Sequence, residues 1–229
     1  MSSRFLQIDD NLIVRRSPRA RQLSLRLDNR TGAAILTVPQ GVSVREAALF
    51  ATEHKGWLAR QRAALPPAIR LAPGEEVPIL GRPHVIIHDA MAGRQPAVEA
   101  EPAALRVGGE ISEVANRVRR YLKSRAGEEL TPRVAHYTAA LDVSYSRLRL
   151  NDPMGRWGSC SATGTLSFSW RLVMAPGWII DYVVAHEVAH LKEMNHSRRF
   201  WAHVRRLVGD PAPARAWLGR EGAALQRVG

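Results

Sequence analysis

The 229-residue sequence has a single cysteine, Cys160. No intrachain disulfide can form, and a reducing compartment is expected. Long apolar runs are missing as well. A stretch such as "WIIDYVVA", residues 178–185, is far too short to span a bilayer and contains Asp181. The N-terminal "MSSRFLQIDDNLIVRRS" lacks the basic-then-apolar order of a signal peptide. These absences predict a cytoplasmic protein without membrane attachment. Lysine is scarce, with Lys55, Lys123 and Lys192 alone, so the net charge of +12 is carried by arginine. The arginines run from Arg4 to Arg227 without a long cluster. Such a diffuse basic surface predicts weak, non-specific contact with nucleic acid and argues against a base-reading module. There is no phosphate-cradling glycine loop and no cluster of carboxylates suited to magnesium, which disfavours nucleotide chemistry.

What is present is enough apolar material, 45% of residues, for one sizeable domain or two small ones. The first hundred residues read mainly as strands. Gln22 to Asp28 and Ala33 to Pro39 flank the turn sequence "NRTG". A helix follows, opened by a capping box of Ser43 and Glu46 and carried by apolar positions as far as Leu58. "VPIL" and "HVIIHD" read as a hairpin, and "AVEAE" and "ALRV" as two further short strands. After Gly108 the character changes. Val114, Val118, Tyr121 and Leu122 recur at helical spacing up to Leu141, and Pro132 is expected to interrupt that helix or start a second. Strands return over Val143 to Leu150 and Gly164 to Met174. Helices then follow from Pro176, from Arg198 to Val208, and from Ala214 to about Leu225. The expectation is an α+β chain, with a β-rich lobe containing one helix over 1–108 and a domain holding the chemistry over 109–229.

The chemistry is concentrated in "VVAHEVAHLKEMNHSRRFW", Val183 to Trp201. At roughly 100° per residue, His186 and His190 share one helix face and can present their imidazoles to one ion. Glu187 lies one residue round, placed to face a water on that ion. This is the H-E-x-x-H arrangement of two ligands and a general base. A third ligand must come from elsewhere. In a continuous helix His196 would be roughly 9 Å further along and turned by about 240°. It reaches the ion if the helix ends after His190, a left-handed Asn195 turns the chain, and Ser197 caps the next helix. Glu193 is a rival on the same helix face, and Asp210 and Glu221 are further acidic candidates. Nitrogen donors and the turn chemistry favour His196 and one zinc ion per chain. His54, His84, His88, His136 and His203 read as structural. Cys160 is a minor candidate for an inhibitory thiolate, against the ordinary role of a buried lone cysteine.

The stretch from "RWGSCS" (156–161) through "RLVMAP" (171–176) to "AHEVAHLKEMNHSRRFW" resembles the YgjP-like metal-dependent hydrolases, a zincin group related to the SprT-like proteases. "SLRLDNRTGAAILTVPQGVS" and "GWLARQ" resemble the N-terminal half of the same family. The one departure is Arg198, where proline is common. The resemblance implies His186, His190 and His196 as zinc ligands and Glu187 as base. It also implies a zincin-like metallopeptidase domain, with the active-site helix beside a small antiparallel sheet. The edge strand of that sheet would be Thr165 to Leu172, holding an extended peptide by main-chain hydrogen bonds, with Ser167 and Ser169 on one face. Arg156 is a candidate for binding a substrate carboxylate or a developing oxyanion, and Tyr182 for donating to the transition state.

A zinc-dependent peptidase acting on a peptide or protein is therefore the leading expectation. One alternative is a metal-dependent nucleotide pyrophosphatase of the UTP-hydrolysing kind. Another is a non-catalytic, zinc-stabilised, DNA-associated binding module, against which Glu187 argues because a structural site needs no base.

Overall fold

A computed structural model describes residues 11–92, 97–99, 103–153 and 155–229. The first ten residues, on which the expectation of no signal peptide partly rests, lie outside them, as do Ala100 and Glu101 of the "AVEAE" segment. The chain divides into two compact units between Pro67 and Ala68.

In the first unit, β1 (Leu12–Ser17), β2 (Ser24–Leu27) and β3 (Ala34–Pro39) form a sheet ordered β1-β3-β2. β2 and β3 are the expected antiparallel pair. β1 pairs parallel to β3; its mostly exposed residues show no apolar alternation by which to recognise it. Ser43 and Glu46 make the reciprocal cap of α1 (Val44–Glu53). The expected single helix breaks at His54, whose Nδ1 lies 2.8 Å from the Phe50 carbonyl, and resumes as α2 (Lys55–Ala63). Leu36, Val38, Ala47 and Ala51 are the buried centre of a small core.

The second unit opens with β4 (Glu76–Ile79), β5 (Arg82–His88), β6 (Ala97–Glu99) and β7 (Ala104–Val107), ordered β4-β5-β7-β6. The β4–β5 hairpin is antiparallel as expected. Its turn places Gly81 at φ 78°, where an added Cβ would meet Pro176 Cγ at 2.8 Å. These strands share a core with the second unit's helices. Val77, Ile86, Leu105 and Val107 join Val118 and Leu122 in one buried cluster, so the contact division falls well before residue 108.

α3 (Val114–Leu141) runs unbroken through Pro132. Proline inside a helix costs about 3 kcal/mol, yet Val118, Leu122, Ala126, Leu130, Val134 and Leu141 bury a continuous stripe on both sides of it. At about 25 cal/mol per Å² of apolar surface, that burial outweighs one lost hydrogen bond.

β8 (Arg147–Asn151), β9 (Gly158–Cys160) and β10 (Thr165–Ser169) form a second sheet of this unit. Its order is β8-β10-β9, with β10 parallel to β8 and antiparallel to β9. This corrects two expectations. The sheet is mixed, and β10 is its central strand rather than an edge. Nor does the strand run on to Met174. The Ser169 hydroxyl accepts from the Arg171 N–H and opens a 3₁₀ turn over Trp170–Met174. Arg171 cannot continue an exposed strand, because its side chain is buried. Its Nε donates to Asp152 Oδ1 at 2.8 Å, and Nη1 donates to the carbonyls of Leu225 and Val228. Then come α4 (Gly177–Ala189), α5 (Arg198–Val208) and α6 (Ala212–Gln226). α4 buries Ile179, Ile180, Val183, Val184 and Val188, which anchors one side of the helix in the core. The fold is α+β, with α4 beside a small sheet. No described helix is long and apolar enough to cross a membrane.

Candidate metal centre

α4 ends at Ala189, with His190 as its C-cap. A tight turn follows, in which Leu191 N–H donates to Val188 O and Glu193 N–H to Ala189 O, each at 3.0 Å. The chain reverses without a left-handed residue at Asn195. The described non-glycine residues with positive φ are Leu80 and Asp142. Asn195 acts through its side chain instead, its Oδ1 accepting from the Ser197 N–H at 3.2 Å. Such an Asx turn is an alternative to the αL conformation open to the same residue type. Ser197 caps α5 as expected, accepting from the Phe200 N–H at 3.2 Å.

This turn brings the three histidines together. One ring nitrogen from each lies within 4.8 Å of the other two. His186 Nε2 and His196 Nε2 are 3.2 Å apart. Two nitrogens held at zinc–nitrogen distance on a tetrahedral ion would stand about 3.3 Å apart, so the pair suits a shared metal. Among the described residues this is the one cluster of at least three such side chains. The Glu193, Asp210 and Glu221 carboxylates and the Cys160 thiol lie outside it, as does His203. Glu193 contributes its backbone. Its carbonyl lies 3.0 Å from His190 Nδ1, and accepting that N–H leaves Nε2 unprotonated for a metal.

Electrostatics favour the form of the ring that binds metals. Burial pulls His186 down to about 4, with His190, His196 and Arg215 adding to the shift. His190 is lowered too, again chiefly by burial. Neutral imidazoles keep their lone pairs near pH 7. Beneath the three rings sits Phe200, fully buried, with centroid distances of 4.9, 4.5 and 4.7 Å to His186, His190 and His196. Trp201 stacks on His196 at 5.9 Å. Neither aromatic was singled out from the sequence. The available signal was the "FW" pair in the first turn of the helix that Ser197 caps.

Glu187 is buried beside the triad and faces β9. A Cβ on Gly158 would lie 2.6 Å from Glu187 Cγ and 2.8 Å from its Oε1. Only a residue without a side chain lets the strand approach so closely. Burial pushes the Glu187 carboxyl up to about 7, with Arg156 pulling the other way. Arg156, Trp157, Gly158, Tyr182, His186 and Glu187 line a cleft of about 220 Å³. Arg156 is thus beside the site. Ser167 is half-buried in the middle of the sheet, opposite Ser159. Ser169 is fully buried, with its hydroxyl committed to Arg171. The Cys160 thiol is pushed up to about 11 by burial and by Glu187, which disfavours a thiolate.

A helix presenting two histidines and a buried glutamate, closed by a third histidine from the next turn, is the arrangement of a metal-dependent peptidase. A family model described as YgjP-like, metallopeptidase domain, matches residues 21–221, and the chain belongs to this family. It is a metal-dependent hydrolase of the metallopeptidase kind. Among solved structures, the metallopeptidase zymogen abylysin of Pyrococcus abyssi is similar at 22% identity and a TM-score of 0.37. That match covers 43% of this chain and 97% of that one. No curated protein matches.

Proposed function

We propose that the protein is a zinc peptidase in which His186, His190 and His196 hold the ion and Glu187 is the general base. The observation that carries this reading is the convergence of three imidazole nitrogens within 4.8 Å, with a buried carboxyl on the neighbouring helix position. An all-nitrogen donor set of three residues suits zinc and leaves a fourth position for water or substrate. When bound, zinc supplies Lewis acidity toward the scissile carbonyl and toward a water molecule. Glu187 would take the proton of the attacking water and return it to the leaving amine. Burial raises this carboxyl to about 7 before the charge of an ion acts on it, so it can accept a proton and return it near neutral pH. Arg156, in the same cleft, binds a substrate carboxylate or the developing oxyanion.

The edge that receives an extended substrate is β9. It ends the sheet order and passes against Glu187 at Gly158. An unpaired strand edge offers alternating N–H and C=O groups to a peptide. Ser167 supports this edge from β10, across the ladder from Ser159.

The test is elemental analysis of protein purified without chelator, coupled to a peptide-cleavage screen with and without chelator. About one zinc per chain is expected, with cleavage lost on chelation and restored by added zinc. Protein without zinc, or cleavage indifferent to chelator, would sink the reading.

A further inference from the structure

A second cavity, of about 340 Å³, lies one turn back along α4 from the cleft. Trp178, Asp181 and Tyr182 of α4 line it, with Tyr137 of α3, Leu207 of α5 and Asp210 ahead of α6. Tyr182 lines both spaces, and its ring centroid is 5.9 Å from that of His186. Trp178 stands a further four residues back, about 6 Å along the helix. A long side chain within two residues of the scissile bond spans that distance, at roughly 3.3–3.6 Å per extended residue.

The chemistry of the walls is unlike that of the surface around them. The chain carries +12 overall, yet this cavity is lined by two aspartates and by no basic side chain. Asp181 is already engaged, accepting from Arg133 Nε at 3.0 Å and from the Tyr137 hydroxyl. Asp210 accepts the Ala212 N–H at 3.0 Å through Oδ1. No ion pair engages it among the described residues. The wall beside it is aromatic: Trp178 is half-exposed and meets Trp217 edge-to-face at 6.4 Å. Tyr182, 7% exposed, adds its ring to that wall. A carboxylate outside any ion pair, set beside an aromatic face, suits a planar cation with several N–H donors.

We propose that this cavity is a specificity pocket for a cationic side chain of the substrate, arginine above all, with Asp210 as its charge partner. The inference rests on the peptidase reading above. It predicts that the protein cuts next to or near basic residues.

The test uses the full-length zinc-bound protein and matched peptides carrying arginine, isosteric neutral citrulline or glutamate at each position in turn. At one position arginine is expected to exceed citrulline in kcat/KM by about tenfold, the worth of one charge-assisted hydrogen bond at a partly exposed site. Asp210→Asn keeps the oxygen that accepts from Ala212, so the fold should stand while the arginine-to-citrulline ratio falls close to one. Asp210→Arg should turn the preference toward glutamate. An arginine preference that survives Asp210→Asn, or none at any position, overturns the pocket. A second arm does not depend on cleavage. N-acetyl-arginine amide and N-acetyl-citrulline amide are titrated against tryptophan fluorescence, with Trp178→Phe assigning the signal. Equal binding of the two probes, or binding unchanged by Asp210→Asn, also overturns the pocket. Selective, Asp210-dependent binding with no peptide ever cut supports the pocket and sinks the peptidase reading alone.

Discussion

The two halves of the proposed zinc site, its ligands and its base, are held in different ways. The ligand half, His186, His190 and His196, is local. One helix and one capped turn assemble it within eleven residues, and Phe200 supports all three rings from the next helix. The base half is a long-range contact. The Glu187 carboxyl is placed by a strand passing at Gly158, and its charge is moderated by Arg156. A local arrangement survives as long as its helix and turn do. A long-range one depends on how closely two elements approach.

That difference can be broken from either side. The largest effect is expected from His196→Ala, which removes a proposed ligand. Zinc affinity should fall by more than the roughly 10–100-fold that losing an outer hydrogen-bond partner of a ligand costs, and hydrolysis should fall with it. Competition titration against a chelating dye measures this. Zinc retained at wild-type affinity would mean that the third ligand lies elsewhere, with Glu193 next in line. Glu187→Gln strikes the other half. Its shape is kept and its proton-accepting capacity lost, so turnover should drop by about 10²–10⁴-fold with zinc content unchanged. An active Glu187→Gln protein would remove Glu187 from the role of base.

Gly158→Ala sharpens the comparison, because it leaves both halves chemically intact. The added methyl would stand 2.6 Å from Glu187 Cγ, and either the strand or the carboxyl must move. A misplacement near 1 Å can cost about 10²-fold in rate, so kcat should fall by 10- to 100-fold at full zinc loading. Wild-type turnover would show that the close approach does not position the base. The smallest effect is expected from Ser197→Ala. Losing the cap of α5 should cost about 1 kcal/mol, read as a lower thermal midpoint of the zinc-free protein. An unchanged midpoint would show that the cap contributes nothing to holding the turn.

The histidine cluster was legible because helix periodicity is fixed by backbone geometry. His186 and His190 at four-residue spacing must share a face, and His196 is six residues further on, so its use requires the helix to stop. How it stops was not legible. Asn195 is equally able to enter the left-handed region or to accept from a following N–H, and the fold uses the second. Pro132 shows the limit from the opposite direction. Local chemistry predicts a break, but the apolar stripe from Val118 to Leu141 keeps α3 whole because burial summed over many side chains exceeds one helix defect.

Composition and spacing alone determined the kind of chemistry: which side chains could face one ion, which carboxyl stood beside it, and where caps would begin the helices. Partners distant in the chain were decided by the tertiary structure. It put β10 in the centre of the sheet and β9 on the edge, turned the strand into a 3₁₀ segment at Ser169, and buried Arg171 against Asp152 and the C-terminal carbonyls. It also set Gly158 against Glu187. Strand order and register follow from which apolar faces find each other across the whole chain, and period-two alternation within a strand carries no information about its neighbours. The shift of Glu187 has the same origin, since burial and a charge from another element act on it only once the chain has folded.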